Sequence, residues 1–457
     1  MKVLPLLKKQ LRWKSLIIEK PSVHLRRNRE GNLNFSGKGK ESILKGEEGY
    51  PHIQHLLSSF TGGEIKIRKG SVHFEDDFVA SGPIIVGIEN LSVELTSISM
   101  DAPIAFRVQA RQPNAKGPDG RISIIGKLHP LRDSPEPSKI RIAAEVRAKN
   151  VNGLPFRPYY GPHIPVEGIE GFLDIHAHYE GNFSGLFRSR GQIKVKDVAF
   201  NNSKVFNTVL KPKKFVVDYD VRLNRRSLII SDVSFRLPEI EVRGRCTIRE
   251  IRSPKRRIEA FATTGSFRLN EVNKYLPLRI ISSSFAKFLK EVTRGGKGRI
   301  VSLRIKGLIE DFPMLKDPKK ADLIYGMMRL DGVTFPFAKA FHPIENISGW
   351  VILEKGSLRF QDLKGSYGKS RFNAAEVTIS RIYSSPQLNL SLDGEIDLDG
   401  IMDIAKPGTS LRKGIPMGDM SGMGNLQLRV AGKLSDPSKL SYNGHLVLKG
   451  AGLSIKN

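Results

Sequence analysis

Residues 68–76 read RKGSVHFED, and the same pattern returns as EKGSLRFQD at 354–362 and as RRSLIISDV at 225–233. Around the first copy, Ile65, Ile67, Val72 and Phe74 alternate with Glu64, Lys66, His73 and Glu75, the period of two that marks strands with one buried face. Lys69-Gly70 stands where a tight turn wants a residue tolerant of positive φ, so each copy is expected to form a β-hairpin.

Other segments recur beside the hairpin. GFLDIHAHYEG from Gly171, GRIVSLRIKG from Gly298 and GNLQLRVAG from Gly424 begin 127 and 126 residues apart. They are followed by GQIKVKDVAF from Gly191, GMMRLDGVTF from Gly326 and GHLVLKGAGL from Gly444, and then by the hairpins at Leu223 and Leu353. CTIREIRSP from Cys246 matches VTISRIYSSP from Val377. The chain therefore carries a repeat of about 126 to 135 residues, read as eight strands, with two copies nearly complete and a third begun. The expected division is an N-terminal β region over 1–150, a first long repeat over 151–280, a second over 281–410 and the start of a third over 411–457.

Composition supports an all-β chain. Of the 457 residues 39% are hydrophobic, enough for a core, and the 43 glycines and 26 prolines fall between alternating runs. Seventy-four Lys and Arg against 46 Asp and Glu give a formal charge of +28, which points to a negatively charged partner: nucleic acid, anionic lipid or lipopolysaccharide. The single cysteine, Cys246, excludes an internal disulfide and a multi-cysteine metal site, and its strand position reads as core filler. No window is apolar enough for a spanning helix. Two short helices are expected, over 53–60 and 282–294; the second either packs on the sheet or serves a membrane surface or groove.

Catalysis finds no foothold. Asp174, His176, His178 and Glu180 share one strand face, and His-x-His can direct two imidazoles at one metal. No third ligand group follows, and Leu173, Ile175, Ala177 and Tyr179 form a complete apolar stripe opposite, so a solvated polar face is the favoured reading and no metal is expected. GKGKES from Gly37 and RGGKGR from Arg294 lack the spacing of a phosphate loop, and no cofactor is expected. Nucleic acid is disfavoured because Phe74, Phe200, Phe235, Phe335 and Phe360 fall at apolar strand positions instead of interleaving with basic residues on an open face.

KPSVHLRRNREGNLNFSG from Lys20 resembles the P-x-V-x-L-x-R-x-x-x-G-x-x-N segment of AsmA-like envelope proteins, through Pro21, Val23, Leu25, Arg27, Gly31 and Asn34. GGEIKIRKGSVHFED from Gly62 and NGLPFRPYYGPHIPVEGIEGFLDIHAHYEG from Asn152 resemble the segments that follow in that family. The region from Lys274 resembles its YhdP-type members, including the G-x-x-x-D-F-P ending at Gly307, Asp311, Phe312 and Pro313. The resemblance implies a Gram-negative envelope protein held in the inner membrane by an N-terminal helix, with a periplasmic antiparallel β-sheet of repeats rolled into a hydrophobic trough. It further implies a bridge-like lipid-transfer role toward the outer membrane, with phospholipids or other anionic envelope lipids as partners. A role in outer-membrane protein assembly, with an outer-membrane or periplasmic protein partner, is the alternative. The absent N-terminal helix and the unfinished third repeat suggest a fragment of a longer chain. Strand alternation assigns Ile65, Ile67, Val72, Phe74, Ile193, Val195, Leu228, Ile230, Leu358, Phe360, Leu426, Leu428 and Val430 to the apolar, lipid-lining side, and Lys66, Lys194, Arg359 and Gln427 to the other.

Overall fold

A computed structural model describes residues 14–32, 34, 62–78, 84–99, 101–115, 117–129, 139–156, 168–182, 185–201, 209–275, 295–314, 318–335, 343–398, 418–436 and 439–455, with isolated positions in 283–290. The helix expected over 53–60 lies outside these residues, and the one over 282–294 does so for the most part. The chain divides into two compact units, Met1–Asn202 with Val209–Pro238, and Ser203–Thr208 with Glu239–Asn457.

The first unit contains β1 (Ser15–Glu19), β2 (Ser22–Arg27), β3 (Glu64–Asp76), β4 (Ile84–Thr96), β5 (Ile104–Gln112), β6 (Gly120–Leu128), β7 (Ile142–Asn152), β8 (Gly168–Gly181), β9 (Phe187–Asn201), β10 (Lys214–Leu223) and β11 (Ser227–Arg236). β1 and β2 both run parallel to β3. From β3 to β11 each strand pairs antiparallel with the next.

The second unit contains β12 (Glu241–Arg249), β13 (Arg257–Thr264), β14 (Phe267–Arg268), α1 (Leu269–Val272), β15 (Lys297–Leu308), β16 (Ile324–Phe335), β17 (Ile344–Glu354), β18 (Ser357–Tyr367), β19 (Ser370–Ser380), β20 (Gln387–Asp397), β21 (Gly418–Lys433) and β22 (Ser441–Ile455). β13 and β14 both pair with β15, and the remaining strands follow one another antiparallel to β22. The fold is mostly β, a mixed and open sheet; helix among the described residues is limited to α1, short 3-10 turns and the helical positions Ser283, Ala286, Lys287, Lys290 and Leu398, the first four within the helix expected over 282–294.

The pattern read as three hairpins divides two to one. At 354–357 a two-residue turn joins β17 to β18, with Lys355 at φ 49° and Gly356 at φ 66°, the double positive φ that suits the twist of antiparallel strands. β10 and β11 likewise meet across Asn224 to Arg226, where the Asn224 Oδ1 accepts the Arg226 and Ser227 amides at 2.9 and 2.8 Å. At Lys69-Gly70, however, β3 continues unbroken as a single strand with a bulge: Lys69 has φ 52° and the register with β4 shifts between Ile67 and Gly70. The reason lies in its parallel neighbour. β1 and β2 lie along the whole of β3, and Lys20 makes a matching break at φ 53° with its amide 2.7 Å from the Arg68 carbonyl. The bulge changes side-chain parity, so odd-numbered Ile65 and Ile67 and even-numbered Val72 and Phe74 share one face.

The repeat is visible in backbone conformation. Six residues after Gly191, Gly326 and Gly444, the left-handed region is occupied by Asp197, Gly332 and Gly450, at φ 54°, 59° and 60°. Four residues after Cys246 and Val377 it is occupied by Glu250 and Arg381, at φ 58° and 56°. The same turn closes each, through Ser253 N to Glu250 O at 2.8 Å and Ser384 N to Arg381 O at 3.0 Å. Each copy supplies six long strands among the described residues, β8 to β13 and β15 to β20, where eight were expected. Strands of up to 15 residues use the repeat length in fewer elements.

The AsmA-type segment at Pro21 to Asn34 is a strand and a clasp. Asn34 accepts the Arg26 amide on its Oδ1 at 3.0 Å and donates its Nδ2 to the His24 carbonyl at 2.8 Å, so the side chain stands in for a neighbouring strand along β2. Arg27 lies 4.0 Å over the Phe78 ring.

Close strand contact sets a further requirement at Gly191. A Cβ there would stand 2.3 Å from the His176 carbonyl oxygen and 2.9 Å from the Ala177 Cβ. Gly191→Ala is therefore expected to destabilise the protein by roughly 1–3 kcal/mol in urea denaturation. Gly87→Ala, where an added Cβ meets nothing within 4 Å, should stay within about 0.5 kcal/mol of the parent.

Candidate functional site

The ladders carry apolar side chains across one face of each unit. In the first unit one row runs Val93, Val108, Ile124, Val146, Ala177, Gly191, Tyr219, Val233, and the adjoining one runs Ala110, Ile122, Ala148, Ile175, Ile193, Val217, Phe235. Ile65, Ile67, Val72 and Phe74 face Leu95, Val93, Ile88 and Val86 on this side. Val195 pairs with Leu173 and Phe215, Leu228 with Leu223, and Ile230 with Val221. Polar atoms among them are paired: Ser189 Oγ lies 3.2 Å from the Tyr219 hydroxyl, and Tyr179 donates to the Asn182 carbonyl at 3.0 Å.

In the second unit a row runs Met328, Val351, Phe360, Val377, Leu390, Val430, Tyr442, and the next runs Leu353, Leu358, Ile379, Leu388. Leu428 pairs with Leu392, and Leu426 with Gly394 and Leu446. The thirteen residues named from the sequence lie on or beside these rows.

They differ in cover. Leu358 and Ile379 are buried in a cluster with Leu269 and Val272 of α1, Ala321, Leu323, Ile382 and Tyr383, and Phe360 packs against its side. The G-x-x-x-D-F-P segment builds this cover. A Cβ at Gly307 would stand 2.1 Å from Leu323 Cδ2, so glycine lets the Pro318–Leu323 turn descend onto the sheet. Asp311 anchors that turn through Lys320 at 2.9 Å. In the first unit Ile98 and Ile104 form a smaller cluster against which Ile65 packs. Ile193, Leu426 and Leu428 are half-buried and belong to neither cluster.

The opposite face is charged. Lys66 bridges Glu64 and Glu94 at 2.7 and 3.3 Å, Arg188 meets Asp220 at 2.6 Å, and Arg141 meets Glu180 at 3.2 Å. The guanidinium of Arg188 holds the Asp220 carboxyl below its usual range against the opposing effect of burial. Basic residues also stand side by side, as in the cross-strand row Arg111, Arg121, Lys149. Arg111 is paired to Glu89 and, at 3.0 Å, to Asp119. Arg359 and Gln427 are exposed on the polar side of their strands, as expected.

His176 and His178 lie on this polar face of β8. The structure adds what the linear sequence did not reveal: Glu145, on β7 directly opposite His178, with its Oε1 2.8 Å from His176 Nε2. Only strand pairing brings residues 31 positions apart together, and no local motif signals it. Hydrogen bonds from His176 and then Arg147 hold the Glu145 carboxyl below its usual range. Cys246 of β12 is half-buried on the apolar side opposite Ala260 of β13, and burial pushes its thiol up, away from the nucleophilic thiolate. Among the described residues no helix is long and apolar enough to cross a membrane.

A protein-family model described as YhdP protein matches residues 86–457, most of the chain. Comparison with curated proteins gave no match, and neither did comparison with solved structures.

Asp174 offers an electrostatic test of the polar face. Burial raises its carboxyl, but Lys196 Nζ at 2.6 Å and the Asn150 amide at 2.9 Å outweigh this and hold it below the usual range. A depressed folded-state value contributes stability that is present above the ordinary carboxylate range and lost as pH falls through the folded value. Asp174→Asn should therefore lower the melting temperature at neutral pH and flatten its acid limb. An acid limb unchanged from the parent would show that Asp174 does not contribute.

Proposed function

This chain belongs to the YhdP family, and we propose that it carries phospholipid acyl chains along the apolar face of its β-sheet, between the inner and outer membranes of a Gram-negative envelope. The observation that carries this reading is the continuity of the apolar rows from β3 to β11 and from β15 to β22, with charge confined to the other side of the strands. A contiguous apolar face of that extent must be covered, at about 25 cal/mol per Å² removed from water. Acyl chains provide that cover while headgroups stay in water. The clusters around Leu358 and Ile98 already cover parts of the face, so the proposed lining centres on Ile193, Leu426, Leu428 and their row neighbours. The inner-membrane anchor and periplasmic location implied by the family resemblance belong to the same reading.

The charge suits anionic headgroups. The Arg111, Arg121, Lys149 row presents three basic groups across neighbouring strands, and the chain as a whole carries +28. Binding to vesicles is expected to rise with anionic lipid content and to fall with salt, since exposed charge is screened within about 10 Å at 0.1 M. Equal binding to neutral and anionic vesicles would remove the headgroup contribution.

A second reading, an assembly factor for outer-membrane proteins, rests on β22. Among the described residues β22 leaves Tyr442, Leu446, Val447 and Leu448 exposed, apolar side chains that an extended precursor segment would cover. Crosslinking from β22 to unfolded β-barrel precursors, with no phospholipid bound, would favour this reading.

The decisive measurement counts phospholipid bound to purified protein and its variants. Leu428→Arg and Ile193→Arg should retain the circular dichroism spectrum, because the guanidinium can reach water past an uncovered face, while losing much of the bound lipid. Gln427→Arg, on the polar side, should change neither. Leu358→Arg places an unpaired charge beneath the α1 and Tyr383 cover and should unfold the second unit. Folded Leu428→Arg and Ile193→Arg proteins with undiminished lipid would overturn the proposed path.

A further inference from the structure

We propose that Glu145, His176 and His178 form a binding site for a divalent cation of the zinc class, on the polar face of the first unit. The three side chains offer two imidazole nitrogens and one carboxylate oxygen, all within 4.8 Å of one another. The two rings stand 5.6 Å apart and are tilted by 51°, so they converge instead of stacking. A tetrahedral zinc ion with bonds of about 2.0–2.2 Å places its ligand atoms roughly 3.3–3.6 Å apart. The proposal requires the three side chains to close to that spacing.

The scaffold is suited to holding them. β7 and β8 are paired continuously from Ile142 to Ala148, and each has a second neighbour, β6 or β9. His176 and His178 are two apart on one strand, and Glu145 is the cross-strand partner of His178. On the β6 side the neighbour of Glu145 is Ile125, which cannot ligate. On the β9 side Gln192 faces His176 and is already engaged with Asp218 at 2.6 Å, and Arg190 faces His178 and opposes a cation.

Arg147 is the competitor. Its Nη2 lies 2.6 Å from the same Glu145 Oε1 that His176 approaches, yet its side chain is 68% exposed and is free to turn into water. Two imidazoles and one carboxylate favour zinc, copper or nickel over magnesium and calcium, which require oxygen shells. Three protein ligands leave the fourth position to water. The site is separate from the proposed lipid path, so its test reads metal alone.

The test titrates zinc chloride into tag-free, chelator-treated full chain by calorimetry, and cobalt chloride with visible absorption as a report of ligand field. His176→Ala, His178→Ala and Glu145→Gln should each weaken one site by at least about tenfold, the lower bound set by losses of mere outer-shell partners. Arg147→Ala should leave that affinity unchanged or improve it, and a large excess of magnesium should not displace the bound metal. His24→Ala, in a separate stacked pair with His73, is the control and should have no effect on it. Absence of binding in the parent, or binding indifferent to both His176→Ala and His178→Ala, would overturn the proposal. So would an Arg147→Ala loss equal to that of the ligand variants, since it would trace the effect to the strand pair and not to coordination.

Discussion

A strand that slips by one residue against its neighbour turns its apolar side chains to the opposite face, and the ladders of this protein are fixed against that slip. The fixing is most visible where parity has to change. β3 switches from odd to even at Lys69, the chain from β1 to β2 switches from even to odd at Lys20, and β4 does so at Asn90, each with a residue in the left-handed region. Similar register shifts interrupt the pairings of β8 with β9, β15 with β16, and β17 with β18. These breaks bend and twist long strands while leaving the rows aligned. Without them, half of each bulged strand would present its charges to the apolar side.

Given that alignment, the apolar face has two kinds of cover. Over Leu358 and Ile379 the protein supplies its own, using α1, the turn at Pro318–Leu323 and the Ile382-Tyr383 corner. Elsewhere the rows contain half-buried residues such as Ile193 and Leu428 that no described cluster claims. The contrast gives the lipid reading its physical content. A face closed everywhere would be an ordinary core, and a face open everywhere would lack the fixed points that hold the strands in place.

The charged side follows different energetics. Its ion pairs are mostly exposed, and pairs of that kind contribute little individually to stability. They set local order instead: Asp174 joins the Asn150 amide to Lys196, and Glu145 gathers Arg147 and His176. The large positive surplus remains after these pairs are formed.

Period-two alternation by itself determined the fold class, because a strand fixes side-chain direction locally, and it set Ile65, Phe74, Ile193 and Leu428 apart from Lys66, His73, Lys194 and Gln427 on their strands, while the repeat was legible in segments that begin 127 and 126 residues apart. It did not determine whether Lys69-Gly70 turns or bulges. The same Lys-Gly pair does each in different copies, and the neighbouring β1 and β2 decide between them. Nor did it show that Leu358 is roofed while Leu428 belongs to no cluster among the described residues, since the roof comes from segments up to some ninety residues earlier in the chain, beginning at α1. Glu145 and His176 met in the same way. Long-range strand pairing, which no short stretch of sequence encodes, brought the carboxylate to the imidazoles.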